Sequence, residues 1–260
     1  IIGAVSNNSI GTVGIAQVSI VPLNWNDFVG GLDYANNNDI SIINASFYFT
    51  TTVNGVTVPA GPSTAQYNAI NNYKGLLICS AGNDGNNTDG SPQYPACYDL
   101  PNVLSVASTD SSDALASSSN YGTTSVDLAA PGVGILSTIP GNTYGNMSGT
   151  SMAAPHVTGV AALIKSYCPT LNASQIKHII LSSVDRPSAL NGKVLTRGRL
   201  NAQRAMEYAR DYGEWMTDQM VSGDFNGDGK DDIAAFIDMN NGATQIYMWP
   251  STGGSFSGVE

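Results

Sequence analysis

Short apolar stretches that alternate with stretches of helical periodicity constrain the fold of this chain most. A β-branched stretch over residues 18–21 precedes a helical pattern over residues 26–35, and an apolar stretch over residues 40–45 follows it. The alternation continues with a predicted helix over residues 64–73 and a predicted strand over residues 76–80. Strands that alternate with helices in this way are typical of βαβ units, so the sequence predicts an α/β fold with a parallel sheet.

Residues 149–156 place a serine at the start of a further predicted helix. Apolar residues recur at helical spacing from Val157 to Ile164, which predicts an amphipathic helix that begins near Ser151. The unpaired backbone N–H groups at a helix N-terminus can stabilise an oxyanion beside the serine Oγ. Gly149 carries no side chain, so a substrate backbone can come close. The alternative is that Ser151 acts only as an N-cap.

The octet Gly-Thr-Ser-Met-Ala-Ala-Pro-His at residues 149–156 resembles, at every position, the nucleophile motif of the subtilases, the subtilisin-like serine proteases. The resemblance extends over about residues 1–210 and covers the C-terminal two-thirds or so of a subtilase domain. It implies a three-layer α/β fold with a mainly parallel sheet that is incomplete at its N-terminus. It also implies that Ser151 is the nucleophile of an endopeptidase, which hydrolyses peptide bonds through an acyl-enzyme.

Residues 81–85, Ala-Gly-Asn-Asp-Gly, resemble the subtilase segment whose asparagine donates a hydrogen bond to the oxyanion. The resemblance assigns that role to Asn83, whose side-chain amide would act together with the backbone N–H of Ser151. A different nucleophile arrangement, the Gly-x-Ser-x-Gly elbow, does not fit because position 153 is alanine. The substrate-binding residues that the resemblance implies are Asn44, Ala45, Ser46, Phe47, Ala81, Gly82 and Thr150.

Residues 44–49 resemble the subtilase strand that pairs with extended substrate and forms one wall of the first specificity pocket. The family usually has glycines at the positions of Tyr48 and Phe49. Two interpretations are open for these rings: they narrow or close the pocket, or they pack under the predicted loop over residues 50–61.

The sequence contains two histidines, and we expect neither to act as a general base. His156 lies five residues after Ser151 on the same predicted helix, and His178 lies in a later amphipathic helix. In subtilases the triad Asp and His precede the Ser, and their Asp-Thr/Ser-Gly and His-Gly-Thr-His segments are not in this sequence. We therefore expect a fragment of an endopeptidase that is inactive or very weak by itself. The alternative is a catalytically inactive subtilase-like binding or scaffold protein.

Residues 7–11, Asn-Asn-Ser-Ile-Gly, resemble a subtilase loop that wraps a calcium ion. The resemblance assigns the amide oxygen of Asn8 as a ligand, together with backbone carbonyl oxygens at Ser6, Ile10 and Thr12. The family's other ligands lie upstream and are not in this sequence. The alternative is an asparagine-rich turn without a metal.

A second domain is predicted over residues 211–260. Residues 224–232 place carboxylate or amide oxygens at loop positions 1, 3, 5 and 9, with glycine at position 6, a spacing that suits one structural Ca²⁺. Ala235 stands where an EF-hand needs glutamate. With apolar runs over residues 233–237 and 245–249, the segment resembles the start of an FG-GAP repeat; the alternative is a solvated acidic turn. The candidate calcium ligands here are Asp224, Asn226, Asp228 and Asp232.

The composition narrows the possible partners. Ten basic residues stand against 20 acidic ones, a formal charge of −10, so we expect no nucleic-acid partner. No stretch is apolar enough over a sufficient length to span a bilayer. Cys79 is expected to be a buried small hydrophobe, whereas Cys97 and Cys168 could form a disulfide. We expect a secreted, extracellular protein that acts on protein or peptide substrates and uses its C-terminal module to bind surfaces, glycans or proteins.

Overall fold

The computed structural model describes residues 1–217, 220–223, 232–238 and 244–249. The chain divides into two compact units, Ile1–Met206 and Glu207–Glu260. The strands up to the division are β1 (Ile42–Ala45), β2 (Thr50–Val53), β3 (Val56–Pro59), β4 (Leu76–Ser80), β5 (Val103–Thr109), β6 (Leu128–Pro131), β7 (Ile135–Ile139) and β8 (Thr143–Met147). The α-helices are α1 (Phe28–Asn37), α2 (Thr64–Asn72), α3 (Thr150–Tyr167), α4 (Ala173–Ser182) and α5 (Ala202–Thr217).

A parallel sheet forms the centre of the first unit, in the order β1-β4-β5-β6. Every residue of β4 and β5 is buried, as expected for parallel strands that are covered on both faces. On one face, Cys79 of β4 packs in a cluster with Leu32 of α1 and Ile70 of α2. Because successive side chains of a strand point to opposite faces, α3, which packs across all four strands, covers the other face. The predicted three-layer α/β fold is confirmed.

The strand that we predicted over residues 18–21 is wrong. These residues form no strand in the structure, and Val18, Ile20 and Val21 are 36%, 62% and 45% exposed. A β-branched stretch has high strand propensity but needs a hydrogen-bonding neighbour. None of the ladders in the described part of the chain includes these residues.

The predicted loop over residues 50–61 contains an ordered hairpin. Strands β2 and β3 pair antiparallel, with Val53 opposite Val56. Between them Asn54 and Gly55 have φ angles of 51° and 79°, as a two-residue type I′ turn requires. The Asn-Gly pair between Val residues is the sequence signal for this hairpin.

The structure contains no disulfide among Cys79, Cys97 and Cys168, so the Cys97–Cys168 disulfide that we considered is not formed there. Cys79 is fully buried, as predicted, and burial raises the pKa of its thiol. None of the described helices is both long and apolar enough to cross a membrane.

In the second unit, β9 (Met220–Gly223), β10 (Asp232–Asp238) and β11 (Thr244–Trp249) form an antiparallel sheet in the order β11-β10-β9. The strands predicted over residues 233–237 and 245–249 are confirmed. Asp224, Asn226 and Asp228 lie outside the described residues, and Asp232 is the first residue of β10. The calcium loop therefore stays a prediction.

The carboxylate of Asp89 fastens two loops of the first unit together. Its two oxygens accept hydrogen bonds from the backbone N–H and the hydroxyl of Thr123, Thr124 and Ser125, six in all, at distances of 2.7 to 3.0 Å. Burial alone would raise the pKa of Asp89, but these hydrogen bonds outweigh it and hold the pKa well below its usual range. The folded state therefore favours the charged carboxylate.

We expect Asp89→Asn to lower the free energy of unfolding at pH 7 by about 1–2 kcal/mol, because the amide cannot accept all six hydrogen bonds and solvent screens the exposed site. A pKa that is lower in the folded state stabilises the fold above the unfolded pKa of about 3.9 and loses that effect as the pH falls below it. The difference from wild type should therefore shrink below about pH 4. Urea titrations between pH 3 and pH 7 would measure it, and a constant difference would contradict the expectation.

Candidate active site

The candidate active site lies where the carboxyl ends of two adjacent parallel strands meet the N-terminus of α3. Strands β1 and β4 pair with Ala45 opposite Cys79. Because the carboxyl ends of parallel strands lie at the same edge of a sheet, the segments that follow them come together. The segments after β1 and β4 accordingly both hydrogen-bond to residues at the start of α3, namely Ser151 and Thr150.

Gly149 makes the sharp entry into α3 possible. Its φ of 146° lies in the region that favours glycine, and a Cβ at this position would stand 3.2 Å from Oδ1 of Asn83. Its N–H donates to the carbonyl oxygen of Gly132 at 2.8 Å, which fixes the turn before the helix. Ser151 is thus the second residue of α3, at the end where the backbone N–H groups are unpaired and the helix dipole is positive.

Ser151 and Ser46 are joined by two reciprocal hydrogen bonds. Oγ of Ser151 donates to the carbonyl oxygen of Ser46 at 3.3 Å, and Oγ of Ser46 donates to the carbonyl oxygen of Ser151 at 3.0 Å. Nδ2 of Asn44 donates to Oγ of Ser46 at 2.9 Å, and Oδ1 of Asn44 accepts from Oγ1 of Thr158 at 3.0 Å. Thr158 was not singled out from the sequence. Its signal is the seven-residue spacing from Ser151, which puts both on one face of the helix.

The side chain of Asn83 is held by Thr150. Oδ1 of Asn83 accepts from the backbone N of Thr150 at 2.9 Å and from its Oγ1 at 3.1 Å. Oγ1 of Thr150 also accepts from the backbone N of Gly82 at 3.2 Å. Since the Thr150 N–H can only donate, the atom that faces it is the amide oxygen. The Nδ2 amino group is thus the end of Asn83 with donors to offer to a substrate oxygen.

Two aromatic residues after Ser46, Phe47 and Phe49, pack against Phe28 of helix α1. The ring of Phe49 lies 5.1 Å from that of Phe28 and 5.7 Å from that of Phe47, both edge-to-face. Phe47 also packs against the buried cluster of α1, α2, β1 and β4. A substrate contact by Phe47 would therefore come from its backbone. Tyr48 is half-buried.

A pocket of about 480 Å³ adjoins the serine. Ser46, Ser151 and Met152 form one side of it, and residues 1–4 and the β7–β8 hairpin form others. This volume is in the range of small-molecule and peptide side-chain sites. The predicted nucleophile is thus accessible from a concave surface.

Neither histidine is hydrogen-bonded to Ser151. Nδ1 of His156 lies 2.8 Å from the carbonyl oxygen of Met152, and burial lowers the pKa of His156. Nε2 of His178 lies 3.5 Å from Oγ of Ser182, on the exposed side of α4. The site therefore combines a serine at a helix N-terminus with an oriented side-chain amide, and the described residues bring no general base to it.

Asn8 lies in a separate loop. Its Oδ1 accepts from the backbone N of Ile10 at 3.0 Å, and Asn7 and Ser9 have positive φ angles of 56° and 57°. Residues 6–12 contain amide, hydroxyl and carbonyl oxygens and no carboxylate. Calcium takes six to eight oxygen ligands, so this loop supplies only part of a ligand set. No group of three or more His, Cys, Asp or Glu side chains suited to a metal occurs among the described residues.

Comparison with known proteins shows similarity over most of the chain, well beyond the residues of the candidate site. The model of the subtilase family matches residues 1–213, and the FG-GAP repeat model matches residues 217–248. Thermitase of Thermoactinomyces vulgaris is 38% identical over 218 residues, which are 80% of this chain and 72% of that protein. Subtilisin Savinase of Lederbergia lenta is 34% identical over 212 residues, or 78% and 73% of the two chains.

Among solved structures, a protease from Pseudoalteromonas arctica PAMC 21717 superposes with a TM-score of 0.67 at 29% identity. The match covers 80% of this chain and 68% of that one. The family model spans most of the sequence, and over the aligned residues both relatives are more than 30% identical to this chain. The chain therefore belongs to the subtilase family of serine proteases, and its subtilase domain is followed by an FG-GAP repeat.

Proposed function

We propose that the protein is a serine endopeptidase in which Ser151 attacks the carbonyl carbon of a peptide bond. The observation that carries this proposal is the arrangement at the start of α3. Asn83, fixed through Oδ1 by Thr150, presents its amino group next to a serine at a helix N-terminus. That combination suits a reaction that develops negative charge on a carbonyl oxygen.

In the proposed reaction Oγ of Ser151 forms a bond to the carbonyl carbon and its proton passes to a general base. Nδ2 of Asn83 and the backbone N–H of Ser151 donate to the oxyanion. The C–N bond then breaks, the base returns the proton to the leaving amine, and water hydrolyses the acyl-enzyme. The general base is not His156 or His178, and we propose that it comes with its aspartate from outside these 260 residues. Substrate would pair with residues 44–47 and 81–82.

We further propose a domain division after residue 210, a structural calcium ion held in part by Asp224, Asn226, Asp228 and Asp232, and an extracellular location. Carboxylate and amide oxygens are the donors that calcium prefers, and the acidic composition suits a soluble secreted protein. The FG-GAP segment would bind surfaces, glycans or proteins.

The second candidate is an inactive binding or scaffold protein that kept the subtilase fold. It is favoured by the hydrogen bond of Ser151 to a carbonyl oxygen rather than to a histidine. The two candidates predict opposite outcomes in one experiment.

The experiment treats the protein, expressed from its complete gene, with a fluorophosphonate that modifies activated serines. We expect one adduct, which mass spectrometry of the digested protein locates on Ser151, and parallel loss of peptidase activity. Ser166, near the other end of α3, is the internal control and should stay unmodified. Peptide binding without any adduct at Ser151 would support the scaffold protein instead.

A further inference from the structure

Asn120 holds the turn that carries Asn83. It is completely buried, with 0% of its surface exposed. Its Nδ2 donates to the carbonyl oxygen of Ala81 and to Oε1 of Gln93, and its Oδ1 accepts from the backbone N of Asp84 and of Asn86, all at 3.0 Å. An asparagine amide has two donor hydrogens and two acceptor lone pairs, so the hydrogen-bonding capacity of this side chain is fully used.

Gly82 fits tightly against the same side chain. The backbone N of Asn120 donates to the carbonyl oxygen of Gly82 at 2.9 Å. Gly82 has a φ of 106°, and a Cβ at this position would collide with Nδ2 of Asn120 and Oε1 of Gln93. The absence of a side chain at Gly82 thus lets the turn lie directly on the buried amide.

The groups that Asn120 binds flank Asn83 on both sides along the chain. Ala81 and Gly82 precede Asn83, and Asp84 follows it. Asn83 is itself exposed, and its Oδ1 is held by two hydrogen bonds from Thr150. Asn120 therefore fixes the backbone of the turn, and Thr150 fixes the direction of the amide.

We propose that Asn120 is a positioning residue for the Asn83 oxyanion donor. The inference rests on the proposed peptidase function for its catalytic consequence, and on geometry alone for the placement of Asn83. Gln93, which accepts from Asn120, also holds this turn, because its Nε2 donates to Oδ2 of Asp84 at 2.6 Å. An apolar residue at position 120 could fill the space but would leave the buried groups of the turn without partners.

A double-mutant cycle on kcat tests the catalytic consequence. In the protein expressed from its complete gene, we expect Asn120→Ala to lower kcat at least about 10-fold, since a displacement of about 1 Å near the reacting atoms can cost 100-fold. KM for a short peptide should change less than about 3-fold. In an Asn83→Ala background, Asn120→Ala should lower kcat less than about 2-fold, because the group it positions is gone. Fully additive effects would overturn the proposal.

Asp89→Asn is the matched control, since it also breaks a hydrogen-bond network but one that does not contact Asn83. Its effect on kcat should be small and should add to that of Asn83→Ala. If Asn120→Ala does not fold, Gln93→Met keeps the length of the side chain and removes one acceptor for Asn120 together with the donor to Asp84. The effects of Gln93→Met and Asn83→Ala on kcat should likewise be non-additive, but the loss in the single Gln93→Met variant should be smaller.

Amide hydrogen exchange at Thr150 tests the geometry without any catalysis. The N–H of Thr150 donates to Oδ1 of Asn83, so displacement of Asn83 should expose it and speed its exchange roughly 10-fold or more. The exchange of amides in the buried strand β5 should be unchanged in the same sample. An unchanged rate at Thr150 in the folded variant would overturn the proposal even if the protein proved not to be a peptidase. Faster exchange without any hydrolysis would instead reject only the proposed function.

Discussion

Ser151→Ala is expected to lower kcat for peptide hydrolysis by about 10⁶-fold, a magnitude taken from subtilisin, to which this chain is related. The reason is that alanine leaves no atom to form the acyl-enzyme, while the proposed oxyanion donors and the proposed substrate-binding segments stay in place. KM should change little, because the substitution leaves the proposed substrate-binding residues 44–47 and 81–82 unchanged. A fluorogenic peptide assay on the protein expressed from its complete gene measures both quantities.

The fold should tolerate this substitution. Oγ of Ser151 makes one 3.3 Å hydrogen bond, and its removal should cost less than about 1 kcal/mol in the free energy of unfolding. Ser166→Ala makes the same chemical change at an exposed position of the same helix and should keep full activity. Hydrolysis by Ser151→Ala at a rate near that of wild type would reject Ser151 as the nucleophile.

The sequence predicts the central sheet well because its signals are local. The apolar run at residues 76–80 is long enough for a buried strand and is bounded by turn residues, and β4 has the same bounds. The helix expected near Ser151 begins at Thr150, and the later amphipathic helix expected to contain His178 runs from Ala173 to Ser182 with Asn172 as its cap. In these segments propensity, periodicity and capping all favour the same structure.

Prediction failed where a segment depends on a neighbour. Residues 18–21 have the composition of a strand and lack a ladder partner among the described residues. The hairpin over residues 50–59 stands where we predict a loop, although Asn54-Gly55 is a sequence signal for it. Propensity alone does not supply hydrogen bonds, and a turn pair is informative only when both flanking stretches are considered together.

The residues of the candidate site show the same difference between local signals and long-range contacts. Ser151 and Asn83 can be singled out from the sequence because their local motifs resemble those of a family. Thr158 and Asn120 were missed because each acts on a residue far along the chain, Thr158 on Asn44 at a separation of 114 residues and Asn120 on Ala81 at 39. No local pattern encodes such a pair, which becomes visible only when the parallel sheet brings the segments to one edge.

Asn83→Ala is expected to lower kcat about 100- to 1000-fold, on the scale known for the equivalent donor of subtilisin. The loss should fall on kcat rather than on KM, because the amide donates more strongly to the oxyanion than to the ground-state carbonyl. The exposed Asn86 offers a matched control in the same segment, and Asn86→Ala should keep kcat within about 2-fold. Equal losses in kcat for the two variants would mean that the segment matters only for folding.

Asn83→Asp tests the proposed donor role of Nδ2 separately from the hydrogen bonds that Oδ1 accepts from Thr150. The aspartate keeps an oxygen to accept from the N–H and Oγ1 of Thr150, the two hydrogen bonds that hold Asn83, but it replaces the amino group by a second oxygen. A negative charge then faces the developing oxyanion, so kcat should fall further than in Asn83→Ala. The free energy of unfolding should stay closer to that of wild type than in the alanine variant, because the aspartate keeps the two hydrogen bonds from Thr150. If Asn83→Asp retained more activity than Asn83→Ala, Asn83 would act through its bond to Thr150 and not as an oxyanion donor.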